Sequence, residues 1–193
     1  MKKLKILLML LALGSLTACA SQKTVPIENQ QEIAISDSKN NDSQFLKLDS
    51  EVNIFYFAYG SNMSTSRMLQ RCGEDNFLDL GQAKLADYDF YFYGRGYANI
   101  KEKASQEVEG VLFRISDTCL RALDQVEGYP NVYQRRIVKV NFDQKNILAQ
   151  VYLVENDQTF AQPSEEYYQV VLSGAEEHGL SAAYLAKIKA LFN

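Results

Sequence analysis

Val52-Asn53-Ile54-Phe55-Tyr56-Phe57-Ala58-Tyr59-Gly60-Ser61-Asn62-Met63 is the stretch on which the fold turns. Val52 to Tyr59 is a short apolar and aromatic run stopped by Gly60, the pattern of a strand buried on both faces, and so a central one. Beyond the turn, Ser64 can cap a helix over Thr65 to Cys72 with Met68 and Leu69 on one face, and Gly73 stands where a helix-ending glycine belongs. Strand, tight turn and helix together aim unpaired backbone N–H groups at one point, which can hold a carboxylate or a developing oxyanion. Gly60 lets a ligand approach the main chain, and Ser61 and Asn62 add side-chain donors. Gly-Ser-Asn is equally ordinary turn chemistry.

Downstream, Phe77 to Tyr93 carries Phe90 and Phe92 alternating with Asp89 and Tyr91, a strand period, until Gly94-Arg95-Gly96 breaks it. The aromatic run Tyr88 to Tyr93 reads as sheet packing. Val108 to Ile115 is another strand. Ser116 or Asp117 then caps a helix with Leu120, Leu123 and Val126 facing inward, ended by Gly128 with Pro130 behind it. Val132 to Phe142 and Ile147 to Val154 alternate as an antiparallel pair joined by Asp143-Gln144-Lys145-Asn146. Pro163-Ser164 opens a helical pair, Glu165 to Glu177 and Ser181 to Leu191, separated by His178-Gly179. Strands with helices interposed and appended define an α+β fold with a largely antiparallel sheet or small barrel.

Upstream, Lys2, Lys3 and Lys5, the apolar run Ile6 to Leu13 and the small residues before Cys19 have the layout of a secretory signal, too short to span a bilayer. Leu16-Thr17-Ala18-Cys19 resembles a bacterial lipobox, which implies lipidation of Cys19 and anchoring to a membrane on its outer side. Residues 20–50 are rich in Ser, Asn, Gln, Asp and Lys and too poor in aliphatics to bury a core. As a coil, such a tether reaches roughly 30 Å. The expected organisation is a signal peptide over 1–18, a lipidated cysteine and flexible linker over 19–50, and a domain over 51–193.

The 193 residues, 47% hydrophobic and 23% charged, suit one ordinary domain with appendages. Net charge is −4, and without the three leader lysines 17 bases face 24 acids, a net −7, which disfavours nucleic-acid binding. One His and three Cys rule out a multi-His metal site, and no CxxC occurs. Carboxylates are left to carry the chemistry. Leu123-Asp124-Gln125-Val126-Glu127-Gly128-Tyr129 sets Glu127 at a helix C-terminus, where the dipole disfavours an anion and raises its pKa, as suits a general base. Such an acid is equally an ordinary surface group. Cys119, spaced four and seven from Leu123 and Val126, reads as a small core residue rather than half of a disulfide with Cys72. His178 reads as a surface loop residue, leaving Ser61 without a base, and Glu109 reads as a strand-face acid.

Phe57-Ala58-Tyr59-Gly60-Ser61-Asn62-Met63 resembles the signature turn of the γ-glutamylcyclotransferase (AIG2-like) family. Ala98-Asn99-Ile100, Glu109 to Phe113, Leu123 to Gly128 with Tyr133, Gln150-Val151-Tyr152, and the tail from Pro163 through Tyr167 to Tyr184 are similar to its later motifs in the same order. The resemblance implies a small mixed, largely antiparallel β-barrel flanked by helices, and a cofactor-independent enzyme without a metal. It implies that Tyr59, Gly60, Ser61, Asn62, Asn99 and Tyr133 bind a small γ-glutamyl substrate and that Glu127 is the catalytic acid and base. Arg135 or Arg136 is a candidate for the substrate α-carboxylate, although strand alternation puts at least one on a solvated face. The implied reaction releases 5-oxoproline and a free amine or amino acid. A lipoprotein that keeps the fold only to bind γ-glutamyl or amino-acid groups is the alternative, and an amidase or transferase differs only in what attacks the carbonyl.

Overall fold

The computed structural model describes residues 54–155 and 159–192. The leader, Cys19 and the linker to residue 50 lie outside them. Five strands, β1 (Ile54–Ala58), β2 (Phe77–Tyr93), β3 (Tyr97–Ile115), β4 (Gln134–Phe142) and β5 (Lys145–Leu153), close a barrel in the order β1-β3-β2-β4-β5. Four helices flank it among the described residues: α1 (Thr65–Cys72), α2 (Asp117–Glu127), α3 (Glu165–Glu177) and α4 (Ala182–Ala190). β1 is central, as its composition requires. It pairs antiparallel with β3 from Ile54↔Ile115 to Ala58↔Val111 and parallel with β5 at Tyr56↔Gln150, which makes the barrel mixed. Phe57, Phe90, Phe92, Leu112, Phe113 and Leu123 are fully enclosed in the core.

β3 begins eleven residues earlier than its apolar run at Val108. Lys101 to Glu107 is polar, and it is held extended by pairing with β2, where Lys103 meets Asp89 at 2.7 Å and Lys84 meets Glu107 at 2.8 Å. Register shifts near Gly81 (φ 100°) and Asp87 (φ 62°) bend β2 enough to wrap a five-stranded barrel. The β4–β5 turn is two residues, Asp143-Gln144, both at positive φ, because Lys145 and Asn146 already pair with Phe142 and Asn141.

Ser116 caps α2, its Oγ accepting from the Cys119 N–H at 3.1 Å, and Gly128 at φ 66° ends it. The inward stripe is Cys119, Leu120 and Leu123 continued by Glu127. Val126, read from the sequence as part of it, is 51% exposed, and Glu127, four residues after Leu123 and seven after Leu120, takes the inward place. Cys119 is not a free core thiol. It forms a disulfide with Cys72 at the end of α1, which packs against α2 and brings together cysteines 47 positions apart. A cross-link of that loop length removes about 4 kcal/mol of unfolded-chain entropy.

His178 is not a surface loop residue either: its side chain is 7% exposed. Nδ1 lies 2.8 Å from the Gly174 carbonyl and Nε2 2.7 Å from Asp79 Oδ2. Both partners are acceptors, so both bonds are complete when the imidazole is doubly protonated, and the Asp79 bond raises its pKa accordingly. Stabilisation from a raised histidine is complete below its ordinary pKa and lost as pH rises through the folded value. His178→Ala is therefore expected to lower the melting temperature most near about pH 6, with the gap to wild type narrowing by about pH 9. A gap independent of pH would show that the imidazole acts by packing alone.

Candidate active site

β1 delivers Tyr59 and Gly60 into a 3-10 turn, Ser61–Met63, from which α1 departs. A Cβ on Gly60 would lie 2.9 Å from Ala98 Cβ on β3, so only glycine lets the turn close here. Ser61 and Asn62 are buried polar residues. Tyr59 to Asn62, Ala98, Glu127 and four further tyrosines, Tyr56, Tyr133, Tyr152 and Tyr167, line a cavity that opens to solvent.

Glu127, the last residue of α2, is the single charged side chain in that lining among the described residues. Asn62 Nδ2 donates to its Oε1 at 3.0 Å and Arg71 Nη1 to the same oxygen at 3.1 Å. Arg71 also donates to Asn62 Oδ1, and Asn62 Nδ2 reaches the Tyr56 hydroxyl at 2.7 Å. Among the described residues both hydrogen bonds to the Glu127 carboxylate land on Oε1, which fixes it and leaves Oε2 for a ligand. Burial raises the Glu127 pKa, and the charge of Arg71 with the bonds from Asn62 and Arg71 hold the rise back. A carboxylate held in place with a raised pKa can take up a proton and return it.

Burial raises the pKa of each lining tyrosine, so all five remain neutral hydroxyls. Three donate within the protein: Tyr59 to the Tyr152 carbonyl at 2.6 Å, Tyr133 to the Ala98 carbonyl at 2.7 Å and Tyr152 to Asp124 Oδ1 at 2.7 Å. These bonds lock the walls. Tyr56 accepts from Asn62 and Tyr167 accepts from the Ala98 N–H at 3.2 Å, which leaves their own protons to be donated elsewhere.

Of the residues expected from the sequence, Tyr59, Gly60, Ser61, Asn62, Glu127 and Tyr133 come together. Asn99 does not line the cavity. As alternation on β3 dictates, its side chain points away from that of Ala98, donating to Tyr91 at 2.7 Å and to the Val154 carbonyl at 2.9 Å. Arg135 and Arg136 also lie outside the lining. Arg135 stacks on Tyr129 and faces Asp124 at 3.3 Å, and Arg136 pairs with Glu155. Glu109 is a buried clamp, accepting from the N–H and hydroxyl of Ser181, each at 2.7 Å, at the start of α4. His178, engaged by Asp79, is no partner for Ser61. Arg71 was not expected. It lies three residues after buried Met68, and that spacing is the signal that sets it on the inward side of α1.

A closed barrel that presents one held carboxylate to a tyrosine-lined cavity has the parts for acid–base chemistry. The model of the gamma-glutamyl cyclotransferase, AIG2-like family matches residues 56–173. A gamma-glutamylcyclotransferase of Homo sapiens is 33% identical over 153 residues, covering 73% of this chain and 80% of its own. A solved gamma-glutamyl cyclotransferase is similar at a TM-score of 0.67 and 31% identity over 72% of this chain and 88% of that one. YkqA from Bacillus subtilis is similar at a TM-score of 0.68 and 29% identity, over 75% of this chain and 55% of its own. The chain belongs to the gamma-glutamyl cyclotransferase, AIG2-like family, and it is an enzyme of that type.

Proposed function

We propose that this enzyme cleaves a γ-glutamyl amide by attack of the substrate's own α-amine, with Glu127 as the base and then the acid. The single observation that carries the reading is the placement of Glu127, half-buried beside the signature turn with Oε1 bound by Asn62 and Arg71 and Oε2 left for substrate. A γ-glutamyl compound carries nucleophile and electrophile in one chain, so proximity is built into it. Glu127 Oε2 takes a proton from the α-ammonium group, and the amine nitrogen bonds to the γ-carbon. The oxyanion is met by the backbone N–H groups of Gly60 and Ser61, where one donor is worth roughly 3 kcal/mol. The bond to the leaving nitrogen then breaks as Glu127 returns that proton to it, and the second proton given up by the ring nitrogen passes to the amine product, which leaves as an ammonium. The products are 5-oxoproline and a free amine or amino acid, and no water is consumed.

The α-amine is the nucleophile, so a γ-glutamyl amide acetylated there is expected to give no product while its free-amine counterpart is turned over. Mass spectrometry of 5-oxoproline across a panel of γ-glutamyl amines and dipeptides makes the test, and turnover of the acetylated compound would sink the reading.

We further propose that the domain is exported, with a leader over 1–18, lipidation at Cys19 and a tether to residue 50. The charged start, short apolar core and lipobox-like junction support this. So does the Cys72–Cys119 disulfide, a bond that persists in oxidising compartments and is rare in cytosolic proteins. Metabolic labelling with a clickable fatty acid tests it. Label on the wild type that Cys19→Ala abolishes is expected, and an unlabelled wild type would overturn the anchor.

A further inference from the structure

The Cys72–Cys119 bond joins the two helices that meet at Glu127. Cys72 follows Arg71 directly at the end of α1, and Cys119 sits in the first turn of α2, the helix whose last residue is Glu127. α1 has only eight residues and buries just two of them, Met68 and Cys72, while Leu69 is 49% exposed. Two turns with so little apolar burial are marginal on their own. α2 is anchored far better, through Leu120, Leu123 and the Ser116 cap. Asn76 adds hydrogen bonds between the same ends, donating to the Cys72 carbonyl at 2.9 Å and accepting from the Ser116 hydroxyl at 2.8 Å, and the disulfide is the covalent tie.

We propose that the Cys72–Cys119 disulfide is a positioning element for catalysis, holding α1 on α2 so that the Arg71 guanidinium stays on Glu127 Oε1. The proposal rests on the reading of Glu127 as the base. Glu127 is faced by Arg71 from α1, Asn62 from the turn, Tyr56 and Tyr59 from the end of β1, Tyr167 from α3, and Tyr133 and Tyr152 from the β4–β5 side, the last bound to Asp124. Only Arg71 among them is cationic. If α1 drifts, the carboxylate loses its one opposite charge and ionises at higher pH.

The test is the pH profile of kcat/KM for wild type, Cys72→Ala/Cys119→Ala, Arg71→Met and the three substitutions combined, with melting curves alongside. Loss of an opposite charge in contact moves a carboxylate by about one pH unit, so the acid limb of the cysteine pair and of Arg71→Met is expected to move up by about that much. Activity below the limb then falls about tenfold and recovers at high pH. The combined variant is expected to match Arg71→Met alone, because the disulfide acts through that side chain. A folded cysteine variant with the wild-type acid limb, or losses that add in the combined variant, would overturn the proposal. If the cysteine variant does not fold, the same profile is taken on wild type reduced with a phosphine, and unfolding there too would make the bond a general brace and also overturn it. Glu127→Gln is run in parallel: activity surviving that substitution defeats the reading of Glu127, a result distinct from either failure above.

Discussion

Glu127→Gln is expected to lower turnover of γ-glutamyl amides by at least about a hundredfold, the scale of a lost general base, with little change in melting temperature. The substitution keeps the side chain's shape, and its amide oxygen can still accept from Asn62 and Arg71, so the network around Oε1 survives. What it removes is the proton acceptor facing the cavity. In wild type, activity should rise with pH through an acid limb displaced upward from the ordinary glutamate value, because burial raises the Glu127 pKa against the opposing effect of Arg71. The sign follows from the role: the base must be ionised, so rate is lost as pH falls through that raised value. Steady-state kinetics with and without the substitution check both statements. If the variant stays folded, binds a γ-glutamyl ligand and turns it over at the wild-type rate, another group is the base. If wild type shows binding without any turnover, the binding-module alternative takes the place of the enzyme reading.

Gly110→Ala is expected to cost about 2 to 3 kcal/mol of stability, as overpacking does in a rigid core, and to lower the melting temperature by roughly 10 °C. Gly110 lies on β3 where it crosses β1, and a Cβ there would stand 2.3 Å from the Ala58 carbonyl oxygen and 2.8 Å from the Phe57 ring. Neither neighbour can give way easily: the oxygen belongs to the backbone of a paired strand, and Phe57 is fully enclosed. Relief has to come from moving β1, and β1 is the strand that delivers Tyr59 and Gly60 to the cavity. Activity should therefore fall along with stability, even at temperatures where the variant is folded. A urea melt and an assay at low temperature separate the two effects. Wild-type midpoint and activity would mean that the two strands are looser than their register implies.

The turn at Gly60 was legible because its signal is local: an apolar run, an abrupt glycine and a capped helix need no tertiary information. Glu127 was legible as a carboxylate at a glycine-ended helix terminus. Arg71 was less so: its spacing from Met68 sets it toward the inward side, but α1 is so polar that a basic residue on it reads as solvated, and the packing of α1 on α2 is what puts it against Glu127. Non-local packing also explains the disulfide, since the cysteines belong to helices separated by the whole β2–β3 ribbon. Asn99, Arg135 and Arg136 show the opposite limit. Strand alternation restricts each to one of two faces, and only the closed barrel settles which face looks into the cavity.

Turnover of a γ-glutamyl amide in H2(18)O, with both candidate products read by mass spectrometry, tests intramolecular attack most directly. Closure by the substrate's own amine predicts 5-oxoproline free of heavy oxygen as the first product, because no water enters the bond. Glutamate carrying one heavy oxygen in its γ-carboxylate, formed ahead of any 5-oxoproline, would show that water is the nucleophile and that the cavity around Glu127 belongs to an amidase.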